Sequence, residues 1–202
     1  ITDKPDYTKD YPAKFPDSTH PVRDVYISSV YWNEEGTHVV LDILSQDFKD
    51  RWLMQLSAAT GKLKLLDRQR DEAWIAGPGI GWIGGANCGF INDHTFFYQS
   101  EASGYSHLYA YDITTQTKQQ LTQGNYEIQQ ATLNYDKKYF YIISNEEHPG
   151  KQSFYRINVD GSNKQKITSM TGGYEVTLSP DEKYIAYRYS YQNKPWELYV
   201  QE

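Results

Sequence analysis

The residues with the most chemical potential in this 202-residue sequence are Ser106 and His107, adjacent in Gly104-Tyr105-Ser106-His107-Leu108. A serine nucleophile of the α/β-hydrolase type needs Gly-x-Ser-x-Gly on a strained strand-to-helix turn, where the hydroxyl stands exposed beside a base. Here Leu108 replaces the second glycine, and His107-Leu108-Tyr109-Ala110-Tyr111 reads as a strand. Ser106 is therefore expected to be structural, and no residue is assigned a catalytic role. Glu146-Glu147-His148 reads as a solvated charge run in a hairpin loop. The histidines, His20, His38, His94, His107 and His148, have neither helical i, i+4 pairing nor zinc spacing. Asn92-Asp93 and Asp181-Glu182 suit backbone turns better than calcium, because the glycine and terminal glutamate of a calcium loop are missing. Cys88, the one cysteine, reads as a small, partly buried residue. No metal and no cofactor is expected.

A second candidate for binding is residues 76–90, with six glycines and one proline. No Lys-Ser/Thr and no helical run follows the glycines, so a phosphate-cradling reading fails its context. The stretch reads as a long loop between strands, and loops of that length often line a ligand site.

The elements that must position these residues are strands. Tyr 19, Trp 5 and Phe 7 favour a pleated, half-buried surface. A turn followed by an apolar strand recurs with Thr37, Thr95, Lys138 and Lys183 in equivalent places, at spacings of 58, 43 and 45 residues. A second strand recurs in phase around Leu53, Leu108, Phe154 and Leu198, at spacings of 55, 46 and 44. A short third signal follows at Lys64-Leu65-Leu66, Gln120-Leu121-Thr122 and Lys166-Ile167-Thr168. An aromatic then opens the next unit at Trp74, Tyr126 and Tyr174. Four short strands per repeat of about 40–50 residues is the signature of a propeller blade, stable only when stacked on its neighbours. The expected fold is all-β: a partial β-propeller of about three complete four-stranded antiparallel blades plus an incomplete one. The blades fall at about 25–75, 76–125, 126–173 and 174–202, behind a proline-bearing lead-in or end of an earlier blade over 1–24. Since a native ring leaves no bare edge, the chain is expected to be part of a longer protein or to be completed by other chains. Its open blade edges suit association between copies.

Net charge is −6 without a basic cluster, which excludes a counterion-releasing nucleic-acid partner and a polybasic membrane surface. No apolar run approaches the length of a bilayer span, and no leader pattern opens the chain. No Asn-x-Ser/Thr acceptor is present, which favours a bacterial source over a secreted eukaryotic one.

Gln99-Ser100-Glu101-Ala102-Ser103-Gly104-Tyr105-Ser106-His107-Leu108-Tyr109, followed by Leu121-Thr122-Gln123-Gly124-Asn125-Tyr126-Glu127-Ile128, resembles the Ser-Glu-x-x-Gly-Tyr-x-His-Leu-Tyr … Leu-Thr-x-Gly-x-Trp-Glu-Val stretch of dipeptidyl peptidase IV-like proteins. Asp71-Glu72-Ala73-Trp74-Ile75 and Lys194-Pro195-Trp196-Glu197-Leu198-Tyr199 extend the likeness over about 25–202. The resemblance implies a parent serine exopeptidase of the prolyl oligopeptidase superfamily. Its N-terminal propeller would gate and line a peptide-substrate cavity, and a C-terminal α/β-hydrolase domain of the same parent chain would carry the chemistry. It also implies an extracytoplasmic setting, the periplasm or cell envelope of a bacterium. The family carries an aromatic and an arginine in the outer substrate pocket in the region of residues 82–90. Here Gly84-Gly85-Ala86-Asn87-Cys88 stands in their place. Trp82, Gly84, Gly85 and Asn87 are accordingly the expected cavity-lining residues, with a changed pocket wall. Neither Glu34-Glu35 nor Glu146-Glu147 has the context of the family's amine-binding glutamates. The alternative is a stand-alone periplasmic propeller that acts as a protein scaffold or binding module.

Overall fold

The computed structural model describes residues 25–81 and 86–202. The expected lead-in over 1–24 lies outside them, as do Trp82, Gly84 and Gly85. Among the described residues there is no helix, and the strands make four separate antiparallel sheets. The first contains β1 (Val25–Trp32), β2 (Val39–Ser45), β3 (Asp50–Leu56) and β4 (Leu63–Arg70). The second contains β5 (Cys88–Phe90), β6 (Thr95–Ser100), β7 (His107–Asp112) and β8 (Thr117–Gln120), and the third β9 (Ile128–Leu133), β10 (Tyr139–Ser144), β11 (Ser153–Asn158) and β12 (Gln165–Lys166). The fourth has three strands, β13 (Gly173–Leu178), β14 (Ile185–Tyr191) and β15 (Lys194–Gln201). Every sheet is a meander of sequential neighbours, the partial propeller that the repeats predict.

The chain forms two compact units. One runs to Ile75 and takes in Asn92–His94; the other comprises Ala76–Ile91 and Thr95–Glu202. In the first, β2 is buried at every residue, and one face of the sheet packs Val39, Leu41, Ile43, Trp52 and Met54 together. Its other face holds an ion pair. Arg51, fully buried, sends Nε to Asp42 Oδ1 (3.0 Å) and Nη2 to Asp42 Oδ2 (2.8 Å). Arg51 stands opposite Gln69 across β3 and β4, and Gln69 Oε1 takes its Nη1 at 3.5 Å. Next to it the buried Asp50 is held by Arg68 (2.9 Å) and Arg70 (2.7 Å). Part of the extra length of the first repeat thus lies in β4, which runs eight residues where a short edge strand is expected.

In the second unit the sheets are joined by apolar layers. Phe97, Leu108 and Ala110 of the second sheet meet Phe140, Ile142, Tyr155 and Ile157 of the third, and Phe97 and Phe140 make an edge-to-face pair at 4.8 Å. Tyr141, Ile143 and Phe154 of the third meet Tyr174, Ile185, Tyr187 and Tyr189 of the fourth. This is the two-residue alternation of strands turned into stacking: odd and even positions of β10 serve opposite neighbours.

The recurrent turns owe their sequence to a shared bonding scheme. Asn134 Oδ1 accepts from the amides of Lys138 (2.7 Å) and Tyr139 (2.8 Å), while its Nδ2 reaches Glu182 in the turn of the fourth sheet (3.1 Å). Glu182 also accepts from Tyr135 N (2.7 Å). The first unit repeats the scheme: Asn33 Oδ1 caps the amides of Thr37 and His38, and Asn33 Nδ2 and Glu35 N both reach Asp93.

Tyr174 is 1% exposed and donates to Met170 O at 2.7 Å; burial first, and Tyr187 second, push its pKa up to about 12. Burial also raises Tyr141 and Tyr155. A phenol whose folded pKa is raised keeps its proton when the unfolded chain has lost it. Its contribution is therefore complete below the unfolded value of about 10 and is lost as pH rises toward the folded one. Between about pH 10 and 12 the tyrosinate absorbance of a fraction of the tyrosines should appear together with loss of the strand circular dichroism. Smooth titration of all tyrosines near pH 10, with the strands intact, would contradict this packing.

Candidate functional site

The stretch that resembles the peptidase family folds as a hydrogen-bonded knot beside the glycine-rich loop. His107, fully buried, places Nε2 2.9 Å from Gly124 O and Nδ1 3.0 Å from Thr122 Oγ1. A carbonyl only accepts, so Nε2 donates to Gly124 O, and Nδ1 shares a hydrogen bond with the Thr122 hydroxyl. Thr122 Oγ1 accepts in turn from Leu108 N (3.0 Å), and Tyr126 meets the imidazole edge to face at 5.0 Å. Glu127 accepts from Ser106 N, and its own amide goes to Asn145 Oδ1 at 2.7 Å. The Gly-Tyr-x-His and Gly-x-Tyr-Glu signals therefore tie β7 to the entry of the third sheet.

Ser106 is fully buried. Its Oγ donates to Pro78 O (2.7 Å) and accepts from Gln99 Nε2 (2.9 Å), and the neighbouring imidazole is directed elsewhere. With no base on the hydroxyl and no solvent access, this serine is not set up for attack on a carbonyl. The paired acids are engaged as well: Glu146 meets Lys164 and Glu147 meets Lys166. Lys164 Nζ also lies 3.2 Å from Tyr126 Oη. His148 Nδ1 accepts from Gly150 N, and Cys88 is half-buried in β5. Among the described residues no group of three or more His, Cys, Asp or Glu side chains could hold a metal ion.

The loop itself is anchored on both sides. Ile80 N closes a turn on Gly77 O, and Asn87 N donates to Gly79 O (2.8 Å), so its two ends are joined. Gly79 has φ +68°, and a Cβ there would lie 2.0 Å from Gln99 Oε1, so only glycine fits this approach. Asn87, the one expected lining residue that is described, is half-buried and gives Nδ2 to Gln99 Oε1 (2.6 Å). The structure thus gives Asn87 a holding role at the base of the loop. Sequence reading missed Gln99. The available signal was a polar residue at the fifth position of β6, where the corresponding residue of β10 is Ile143. It also placed Trp74 as the aromatic opening the second repeat. Instead Trp74 is 66% exposed in a turn capped by Asp71 Oδ1, and the second sheet begins at Cys88, after the glycine-rich stretch.

A recess follows the edge strands β9 and β13 of the third and fourth sheets. A cleft of about 420 Å³ is lined among others by Gln129, Gln130, Gln152, Glu175 and Arg188, with Arg188 paired to Glu175 and stacked over Trp196 at 5.3 Å.

The sequence pattern described as the dipeptidyl peptidase IV N-terminal region matches residues 8–196. The chain belongs to this family. Dipeptidyl-aminopeptidase B of Aspergillus niger is 27% identical over 186 residues, 88% of this chain and 21% of that protein. A probable dipeptidyl-aminopeptidase B of Aspergillus oryzae is likewise 27% identical, over 95% of this chain and 22% of its own length. The crystal structure of Porphyromonas gingivalis dipeptidyl peptidase 4 superposes with a TM-score of 0.70 at 21% identity, covering 88% of this chain and 24% of that one. At that identity the superposition speaks for the fold. The chain spans about a fifth of the length of the curated relatives it matches.

Proposed function

We propose that this chain is the noncatalytic propeller portion of a dipeptidyl peptidase IV-like serine exopeptidase. It gates and lines the peptide cavity, while an α/β-hydrolase domain of the same parent chain cleaves. The observation that carries the reading is the anchoring of the glycine-rich loop, whose described stems at Pro78 and Asn87 are held on the family's own motif by Ser106 and Gln99. A loop fixed at both ends by buried hydrogen bonds suits a wall rather than a reacting group. Asn87 is proposed as part of that wall, and Trp82, Gly84 and Gly85, which lie outside the described residues, are proposed with it. Small residues where the family has an aromatic and an arginine open the outer pocket, so the parent should accept bulkier second residues.

An extracytoplasmic setting goes with this reading; the curated relatives named for aminopeptidase activity are fungal and give no support to a bacterial one. β15, an eight-residue edge strand with Trp196, Leu198 and Val200 exposed, supports self-association of the isolated chain. A monodisperse monomer in light scattering would count against that. The functional test uses the full-length parent: release of dipeptides from Gly-Pro and Ala-Pro peptides is expected, and must vanish on mutation of the serine in a Gly-x-Ser-x-Gly segment beyond Glu202. A parent frame without such a segment ends this reading.

A further inference from the structure

One buried side chain gathers both described ends of the glycine-rich loop. Gln99 has no solvent exposure. Its Nε2 lies 3.1 Å from Pro78 O, 2.9 Å from Ser106 Oγ and 2.8 Å from Ile128 O. Its Oε1 accepts from Asn87 Nδ2 at 2.6 Å. Pro78 precedes the loop tip and Asn87 follows it, Gln99 itself lies in β6 of the second sheet, Ser106 immediately precedes β7 of the same sheet, and Ile128 opens the third. A single amide therefore joins the two stems of the loop to two sheets. The slot demands this group: it needs two N–H donors and one acceptor in one plane, at the reach of two methylenes. The corresponding residue of β10, Ile143, is apolar and packs against the fourth sheet. Gln99 thus departs from the apolar alternation of its strand at the point where the loop has to be held.

We propose that Gln99 is a positioning residue: by fixing both loop stems it sets the wall of the peptide cavity, and through that wall the affinity for substrate. This role rests on the peptidase reading above. None of these groups reacts in the peptidase reading, so their loss is expected to act on substrate binding and to leave the chemical step alone.

The test is Gln99→Met in the full-length parent, which keeps the side-chain length and removes every donor. KM for a Gly-Pro anilide is expected to rise about tenfold with kcat within about twofold, because a buried set of acceptors loses its donors and the loop shifts to resolvate them. Amide exchange of residues 76–81 and 86–91 should speed up about tenfold, with β10 and β11 unchanged. Gln99→Glu should show the same defect at neutral pH and recover part of the affinity toward acid pH, as the carboxyl gains a proton to donate. Asn87→Ala removes a single partner at the half-buried rim. It should give a smaller KM rise in the same direction, and it keeps the idea testable if Gln99→Met misfolds. Unchanged exchange in the loop stems would overturn the clamp. Faster exchange with an unchanged KM would overturn the role in affinity. A wild-type parent that releases no dipeptide would overturn the peptidase reading, leaving the exchange data to judge the clamp by itself.

Discussion

Arg51→Ala is expected to destabilise the chain by about 3–5 kcal/mol, because it strands a buried carboxylate in a low-dielectric site. Asp42 is 1% exposed and its carboxylate receives Arg51 through both Nε and Nη2. The pair runs diagonally across β2 and β3, on one face of the first sheet. An ion pair in such a place is weak evidence for stability in itself, since each charge was removed from water to form it. The expectation therefore has two parts. The single change should lower the chemical denaturation midpoint strongly. The double change Arg51→Met with Asp42→Leu should recover most of the loss, since it removes both charges and fills similar volume. A single mutant within about 1 kcal/mol of the parent chain would contradict the buried geometry, because that is the range of exposed pairs.

Phe140→Ala should cost a similar amount, about 3–5 kcal/mol, by a different mechanism. Phe140 is fully buried in the layer between the second and third sheets, edge to face with Phe97. Its removal leaves a cavity in a seam where each sheet has only its neighbours to pack against. The loss should appear as faster amide exchange in both β6 and β10, with the first sheet little affected. Protection lost in β10 alone would mean that the two sheets open independently, and would undo the stacked reading of this unit.

How much of this was legible in the sequence follows from the range of the interactions. The strands at Val39–Ser45 and Tyr139–Ser144 announce themselves, since alternation and turn residues lie within a few positions of each other. The Asn134 and Asn33 caps are equally local. Their acid partners Glu182 and Asp93 are not, because 48 and 60 residues separate each pair. Gln99 looked like one more polar residue in a strand, for its partners lie at Pro78, Asn87 and Ile128, and only the folded chain brings them together. Trp74 misled for the opposite reason: a local aromatic signal matched the repeat, yet the next strand of the described residues begins only at Cys88, beyond five glycines. The family motif was visible as a string. Its purpose, seating His107 between Thr122 and Gly124 and joining two sheets, needed coordinates.

The measurement that bears most directly on the account is a turnover assay on the purified 202-residue chain beside its full-length parent, with a Gly-Pro chromogenic substrate. The account predicts hydrolysis by the parent and none by the chain, whose Ser106 hydroxyl is committed to Pro78 O and Gln99. Hydrolysis by the chain alone, abolished by Ser106→Ala, would contradict it.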